Sequence, residues 1–231
     1  MLFASTLLLQ SEVFRKPTYS WNQKVTITVE TEEGVFSSYT VQRVEWKYNG
    51  PSRPGLEKNY WSMTLHGEAP FVVLPDETVI VATLGGGDRW GFGRLLIEEL
   101  EGSDYNSSLS PSEEVVQRVE VASDLNTYVY SPTQVPPIII GISPSKSPQN
   151  SFWVSPEDQT SEALGITSVK LLVEKSDRAV SQVRITEILP WINEMEPDER
   201  LKVKYGDGSI GRIPRSFLSG SPAPKTGTSE N

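Results

Sequence analysis

The chain has 231 residues, 21 Lys+Arg against 30 Asp+Glu, a net charge of −9, one histidine and no cysteine. At about 150 residues per domain this is one large domain or one with a small satellite, big enough to bury a core without a metal or disulfide staple. The composition excludes disulfides, thiolate zinc sites, cysteine nucleophiles and multi-histidine metal centres. The acidic balance argues against a general nucleic-acid surface, whose affinity comes from clustered cations.

Met1–Leu9 is a short apolar run. Nine helical residues reach only ~14 Å, under half of a ~30 Å hydrocarbon core, so the run cannot cross a bilayer as a helix. It reads as a buried start of the domain, as the remnant of a signal or anchor, or as a disordered end. Trp21 to Glu30 then alternates, with Val25, Ile27 and Val29 opposite Thr26, Thr28 and Glu30, the period of a half-buried strand. After the turn at Glu32-Glu33-Gly34, the next strand carries Tyr39 and Val41 in one phase and Val44, Trp46 and Tyr48 in the other. That slip predicts a β-bulge near Gln42-Arg43. Trp61, Met63 and Leu65 start a third strand that is expected to continue past Gly67 to Leu74, and Thr78 to Leu84 makes a fourth. Four strands on short turns form an antiparallel meander.

The pattern then changes. Asp88 is placed to cap a helix running to about Glu101, with Leu95, Leu96 and Leu100 on one face. Ser110-Pro111-Ser112-Glu113 predicts a second start, with Ser110 as cap and Val115, Val116 and Val119 buried. Ile138 to Ile142 is a short β-branched run, hence a buried strand; Ser143 to Ser151, with two prolines, reads as a flexible connector. Ser155-Pro156-Glu157-Asp158 predicts a short helix ended by Gly165, and Val169, Leu171 and Val173 another strand. A helix is expected in the second half of 180–192, stopped at or just beyond Pro190. Leu201–Tyr205 and Ile210–Ile213 form a hairpin around Gly206-Asp207-Gly208-Ser209, and the tail from Ser219 is polar and disordered.

Few motifs carry chemistry. Gly206 to Gly211 matches G-x-G-x-x-G, but Arg212-Ile213-Pro214 forbids the helix a dinucleotide site needs, so the motif is a hairpin turn. Gly85-Gly86-Gly87 lacks the lysine pair of a P-loop and reads as a connector. His66 falls on the polar side of its strand as a surface histidine, and no serine lies in a full G-x-S-x-G elbow. The carboxylate runs Glu98-Glu99-Glu101, Glu113-Glu114 and Glu194-Glu196-Asp198-Glu199 read as solvated charge. Trp21, Trp46, Tyr48 and Trp61 fall on neighbouring strands, where cross-strand pairs serve the core. Exposed together, Trp46, Tyr48 and Trp61 would instead be an aromatic binding face.

Thr18-Tyr19-Ser20-Trp21-Asn22-Gln23-Lys24, leading into Val25–Thr31, resembles the opening of a family of uncharacterised proteobacterial proteins in which a hydrophobic segment precedes a Val/Thr-rich strand. Val154–Asp158, Ala163-Leu164-Gly165, Val169–Glu174 and Ile188–Ile192 are similar to the C-terminal half of that family in order and spacing, so the resemblance spans most of 18–218. It implies an upstream signal or anchor, of which Met1–Leu9 would be the remnant. It transfers no activity and no catalytic residue.

The expected fold is α+β: an antiparallel sheet with two or three helices on one face, in a single domain at 18–218, after a hydrophobic segment at 1–17 and before a disordered tail at 219–231. The expected function is a non-enzymatic binding or structural module of the bacterial cell envelope. The alternatives are a carboxylate-based hydrolase, with or without a divalent cation, and a cytosolic regulator that binds a partner. No catalytic residue, metal ligand or cofactor is assigned. Nucleic acid is not an expected partner, and membrane association would run through the N-terminal segment. The location is the envelope or periplasmic side if a signal precedes Met1, and otherwise the cytoplasm.

Overall fold

Two long strands of 14 and 18 residues set the architecture, because their residues alternate between apolar or β-branched and polar types. The computed structural model describes residues 16–51, 59–85, 91–102, 111–129, 139–142, 147–154, 164–181, 184–196, 198–204 and 210–218. The apolar run at Met1–Leu9, the Asp88 cap, the helix expected from Ser155, the turn at 206–209 and the tail from Ser219 lie outside these residues. β1 (Thr18–Thr31) pairs antiparallel with β2 (Gly34–Pro51), and β2 with β3 (Asn59–His66). β9 (Ile166–Ser176) pairs with the other side of β1, and β6 (Asn126–Val129) with β9, giving a five-stranded antiparallel sheet in the order β3-β2-β1-β9-β6.

The chain leaves this sheet after His66. Gly67 adopts φ +120°, a conformation open to glycine at little steric cost, and redirects the backbone. β4 (Phe71–Val73) and β5 (Val79–Ala82) therefore open a second sheet, rather than completing a four-stranded meander with the first. β7 (Ile139–Ile142), β8 (Ser151–Trp153), β10 (Arg200–Lys204) and β11 (Ile210–Pro214) complete it in the order β11-β10-β8-β7-β5-β4. This sheet is mixed, since β10 runs parallel to β8 and the other pairs are antiparallel.

The helices are short. α1 (Leu95–Glu101) follows a 3₁₀ turn at Gly91–Gly93 and packs on β6 and β9; α2 (Glu113–Val121) packs on β1 and against α1. α3 (Ile185–Ile188) and α4 (Trp191–Glu194) meet at Pro190, where a helix end was expected. The class is α+β. One apolar cluster joins Val25, Ile27 and Val29 of the first sheet to Val79–Ala82, Ile140 and Val203 of the second, with Leu96, Ile97, Val116 and Val119 of the helices.

Three further expectations are corrected. The register of β1 with β2 is unbroken from Thr18↔Lys47 to Thr31↔Gly34, so there is no bulge at Gln42-Arg43; the irregularity in β2 falls between Tyr48 and Gly50. The slip in hydrophobic phase arises because Thr40 and Gln42 are polar residues on the inward face, both fully buried. The cap of α2 is Ser112, whose Oγ accepts from Val115 N at 3.3 Å, two residues later than Ser110. The connector expected at 143–151 holds an ordered 3₁₀ turn at Pro148–Asn150, and β8 begins at Ser151.

Candidate functional site

The aromatic trio is brought together, but inward. Tyr48 faces Trp61 across the β2–β3 pair, and the two rings sit 5.2 Å apart between centroids. Trp46 meets Trp61 edge to face at 6.2 Å, and Tyr19 adds a fourth ring at 6.1 Å. Trp46 is 0% exposed and Trp61 1%, and the Trp46 Nε1–H donates to Gly93 O at 3.1 Å. Tyr48 and Tyr19 are half-buried. These rings pack the core, because three large side chains on the inner face of neighbouring strands gain more by burial than by display. His66 lies on the outer face opposite Arg43, half-buried and engaged by neighbours. Among the described residues no three His, Cys, Asp or Glu side chains converge in a way that could hold a metal ion.

Polar residues that sequence periodicity passed over build a chain through the interior. Trp21 Nε1–H donates to Gln23 Oε1 at 3.2 Å, and Gln23 Nε2 donates to Phe92 O at 3.1 Å and Gln42 Oε1 at 3.3 Å. Gln42 Nε2 at 2.9 Å and Thr40 Oγ1 at 3.3 Å both donate to the backbone carbonyl of Glu68. The Glu68 side chain is 0% exposed. Its Oε2 accepts the backbone N–H of Arg184 at 2.6 Å and of Ile185 at 2.7 Å, and its Oε1 lies 3.6 Å from Arg184 Nε. Burial pushes the Glu68 carboxyl above its ordinary range, opposed by the two N–H donors and the Arg184 charge. A carboxylate so enclosed latches α3 to the crossover after Gly67; it is shut away from any substrate.

The latch positions a cleft on the outer face of the five-stranded sheet. β2 extends beyond β3 there, and Ser181 takes the place of a partner strand: its N–H donates to Val41 O at 3.0 Å and its Oγ accepts the Val41 N–H at 2.8 Å. Ser37, Ser38, Tyr39, Ser181 and Arg184 line an open cavity of about 390 Å³. Tyr39, 41% exposed, organises the cations around it. Lys24 Nζ sits 5.3 Å from its ring centroid and Arg178 Cζ 5.6 Å, while Arg178 Nη1 donates to its hydroxyl at 2.9 Å. Arg184 Nη2 donates to its carbonyl at 3.2 Å. Lys24 is balanced by Glu174 at 2.9 Å. Among the described residues Arg178 pairs with no carboxylate, and Arg184 only with the enclosed Glu68. The arrangement can hold a negative or acceptor-rich group, and it offers no nucleophile with an adjacent base.

A cavity of about 410 Å³ beside α4 and β10 is lined by Trp191, Met195 and Leu201, but its charged residues Glu194, Glu199, Arg200 and Lys202 are all turned to solvent. The sequence reading did not single out the Tyr39 cleft, because its lining comes from β2 and from the segment after β9. An arginine pair flanking a serine, Arg178 and Arg184 about Ser181, was the available signal. No family model, curated protein or solved structure matches the chain.

Proposed function

We propose that this chain is a non-enzymatic binding module of the bacterial cell envelope that takes its ligand or partner at the Tyr39 cleft. The observation that carries the reading is the set of cations gathered about one half-exposed tyrosine, in a chain whose net charge is −9. The groups best placed for acid–base work are spent on structure, Glu68 as a latch and Lys175 on helix carbonyls. The envelope assignment is supported by the resemblance over residues 18–218 and by the apolar run Met1–Leu9, through which membrane association would run. Among the described residues no helix is long and apolar enough to cross a membrane. The net negative charge supports a partner other than nucleic acid.

The test has two parts. Fractionation of cells making the full chain is expected to recover it with the envelope or periplasm, and recovery wholly in the cytosol overturns the location. A photo-crosslinking residue in place of Ser37, which is exposed at the cleft, is expected to form an adduct in intact cells that Arg184→Ala diminishes. Absence of any adduct overturns the binding reading.

A further inference from the structure

Resting on the reading of the Tyr39 cleft as the binding site, we propose that its ligand is a small molecule bearing an oxyanion, a carboxylate or a phosphate, gripped between Arg178 and Arg184. The argument is one of donor inventory. Arg184 uses Nη2 on the Tyr39 carbonyl and Nε toward Glu68, which leaves Nη1 without a protein partner among the described residues. Arg178 uses Nη1 on the Tyr39 hydroxyl and leaves Nη2 and Nε. Because that hydroxyl accepts from Arg178, its proton remains to donate; Ser181 Oγ accepts from Val41 and likewise keeps its own proton. The guanidinium groups left over only donate and carry charge, whereas the hydroxyls of Tyr39 and Ser181 keep a lone pair as well as a proton, and Ser37 Oγ, which donates to Ile27 O at 3.1 Å, keeps acceptor capacity. The charge decides between ligands: an ionised oxyanion meets the arginine donors with charge-assisted bonds, whereas a neutral sugar meets them without that gain. The free Nε/Nη2 edge of Arg178 suits the paired oxygens of carboxylate or phosphate better than an ammonium group does, and Arg184 adds Nη1.

Size and field limit the ligand to a small one. A cavity of about 390 Å³ lies near the lower end of the ~300–1,000 Å³ typical of small-molecule sites. The net charge of −9 repels the remote charges of a polyanion. A single oxyanion against two arginines sits within the ~8 Å over which their local field is felt at physiological salt.

Titration of the full-length, ¹⁵N-labelled chain with sodium succinate, inorganic phosphate and glucose, at ionic strength held constant with sodium chloride, tests this. Succinate, phosphate or both are expected to shift the Tyr39, Ser181 and Arg184 amides saturably, and the arm that responds identifies the oxyanion. Arg178→Gln and Arg184→Gln are each expected to weaken binding at least tenfold, and Lys202→Gln on β10 to leave it unchanged. Among the described residues the Arg178 side chain bonds only to the Tyr39 hydroxyl and stacks on its ring, its other hydrogen bonds being backbone ones, so its variant reads the site even if Arg184→Gln disturbs the latch. The inference is overturned if neither anion moves these amides, or if the shifts persist in both variants. Glucose shifting them in place of the anions also overturns the oxyanion class but leaves the cleft as a binding site, and the Ser37 cross-link separates that outcome from failure of the binding reading.

Discussion

Glu68 shows how a single residue can bind a fold together at the cost of its own solvation. Its backbone carbonyl satisfies Gln42 and Thr40, and its carboxylate satisfies two N–H groups at the start of α3. Truncation by Glu68→Ala strands buried donors, and a loss of about 1–3 kcal/mol per unsatisfied group is expected in urea unfolding. The pH dependence has a definite sign. Burial favours the neutral acid, so the folded chain holds this proton more tightly than the unfolded chain, whose carboxyl titrates near its ordinary value of 4.5. The contribution of Glu68 is therefore complete below that value and declines as pH rises through the higher folded one. The wild type is expected to lose more stability than Glu68→Gln when pH is raised from about 4.5 through the folded value. Parallel Tm–pH curves for the two proteins would remove this account.

At the scale of elements, α2 is tied down at both ends. Ser112 caps its N-terminus, and Lys175 of β9 donates from Nζ to the carbonyls of Val119 and Glu120 at 2.6 Å and of Ala122 at 2.9 Å. A cation at the C-terminal end meets both the unpaired carbonyls and the negative end of the helix dipole. Burial lowers the pKa of this ammonium, with Glu120 and Asp177 opposing, so its desolvation offsets part of the gain. Lys175→Met keeps the packing stem and removes the donors; a loss of about 1–3 kcal/mol is expected, with faster amide exchange confined to the last turn of α2. Unchanged exchange there would mean that the carbonyls do not depend on Lys175. Element boundaries were legible where period and chemistry agreed, as in β1, β9 and the β10–β11 pair. They were misplaced where polar residues face inward: Thr40 and Gln42 imitate a bulge, since periodicity reads polarity as exposure.

For the whole molecule, the two sheets share a core and should unfold together. Ile80 of β5 is fully buried in the cluster that also holds Val25, Ile27, Trp46 and Trp61 of the first sheet. Ile80→Ala is expected to cost about 2–5 kcal/mol. Its effect should move the tryptophan fluorescence of the first sheet and the amide signals of the second by the same amount, whereas separate midpoints would show two independent units. By itself the sequence determined the α+β class, the long alternating strands and the absence of cysteine chemistry, because each is a local or compositional property that survives without knowledge of contacts. Tertiary structure alone decided that the chain changes sheets at Gly67 and that Arg178 and Arg184 both reach Tyr39. Those outcomes depend on which remote segments are brought side by side, and pairing over more than a hundred residues leaves no periodic trace in either segment.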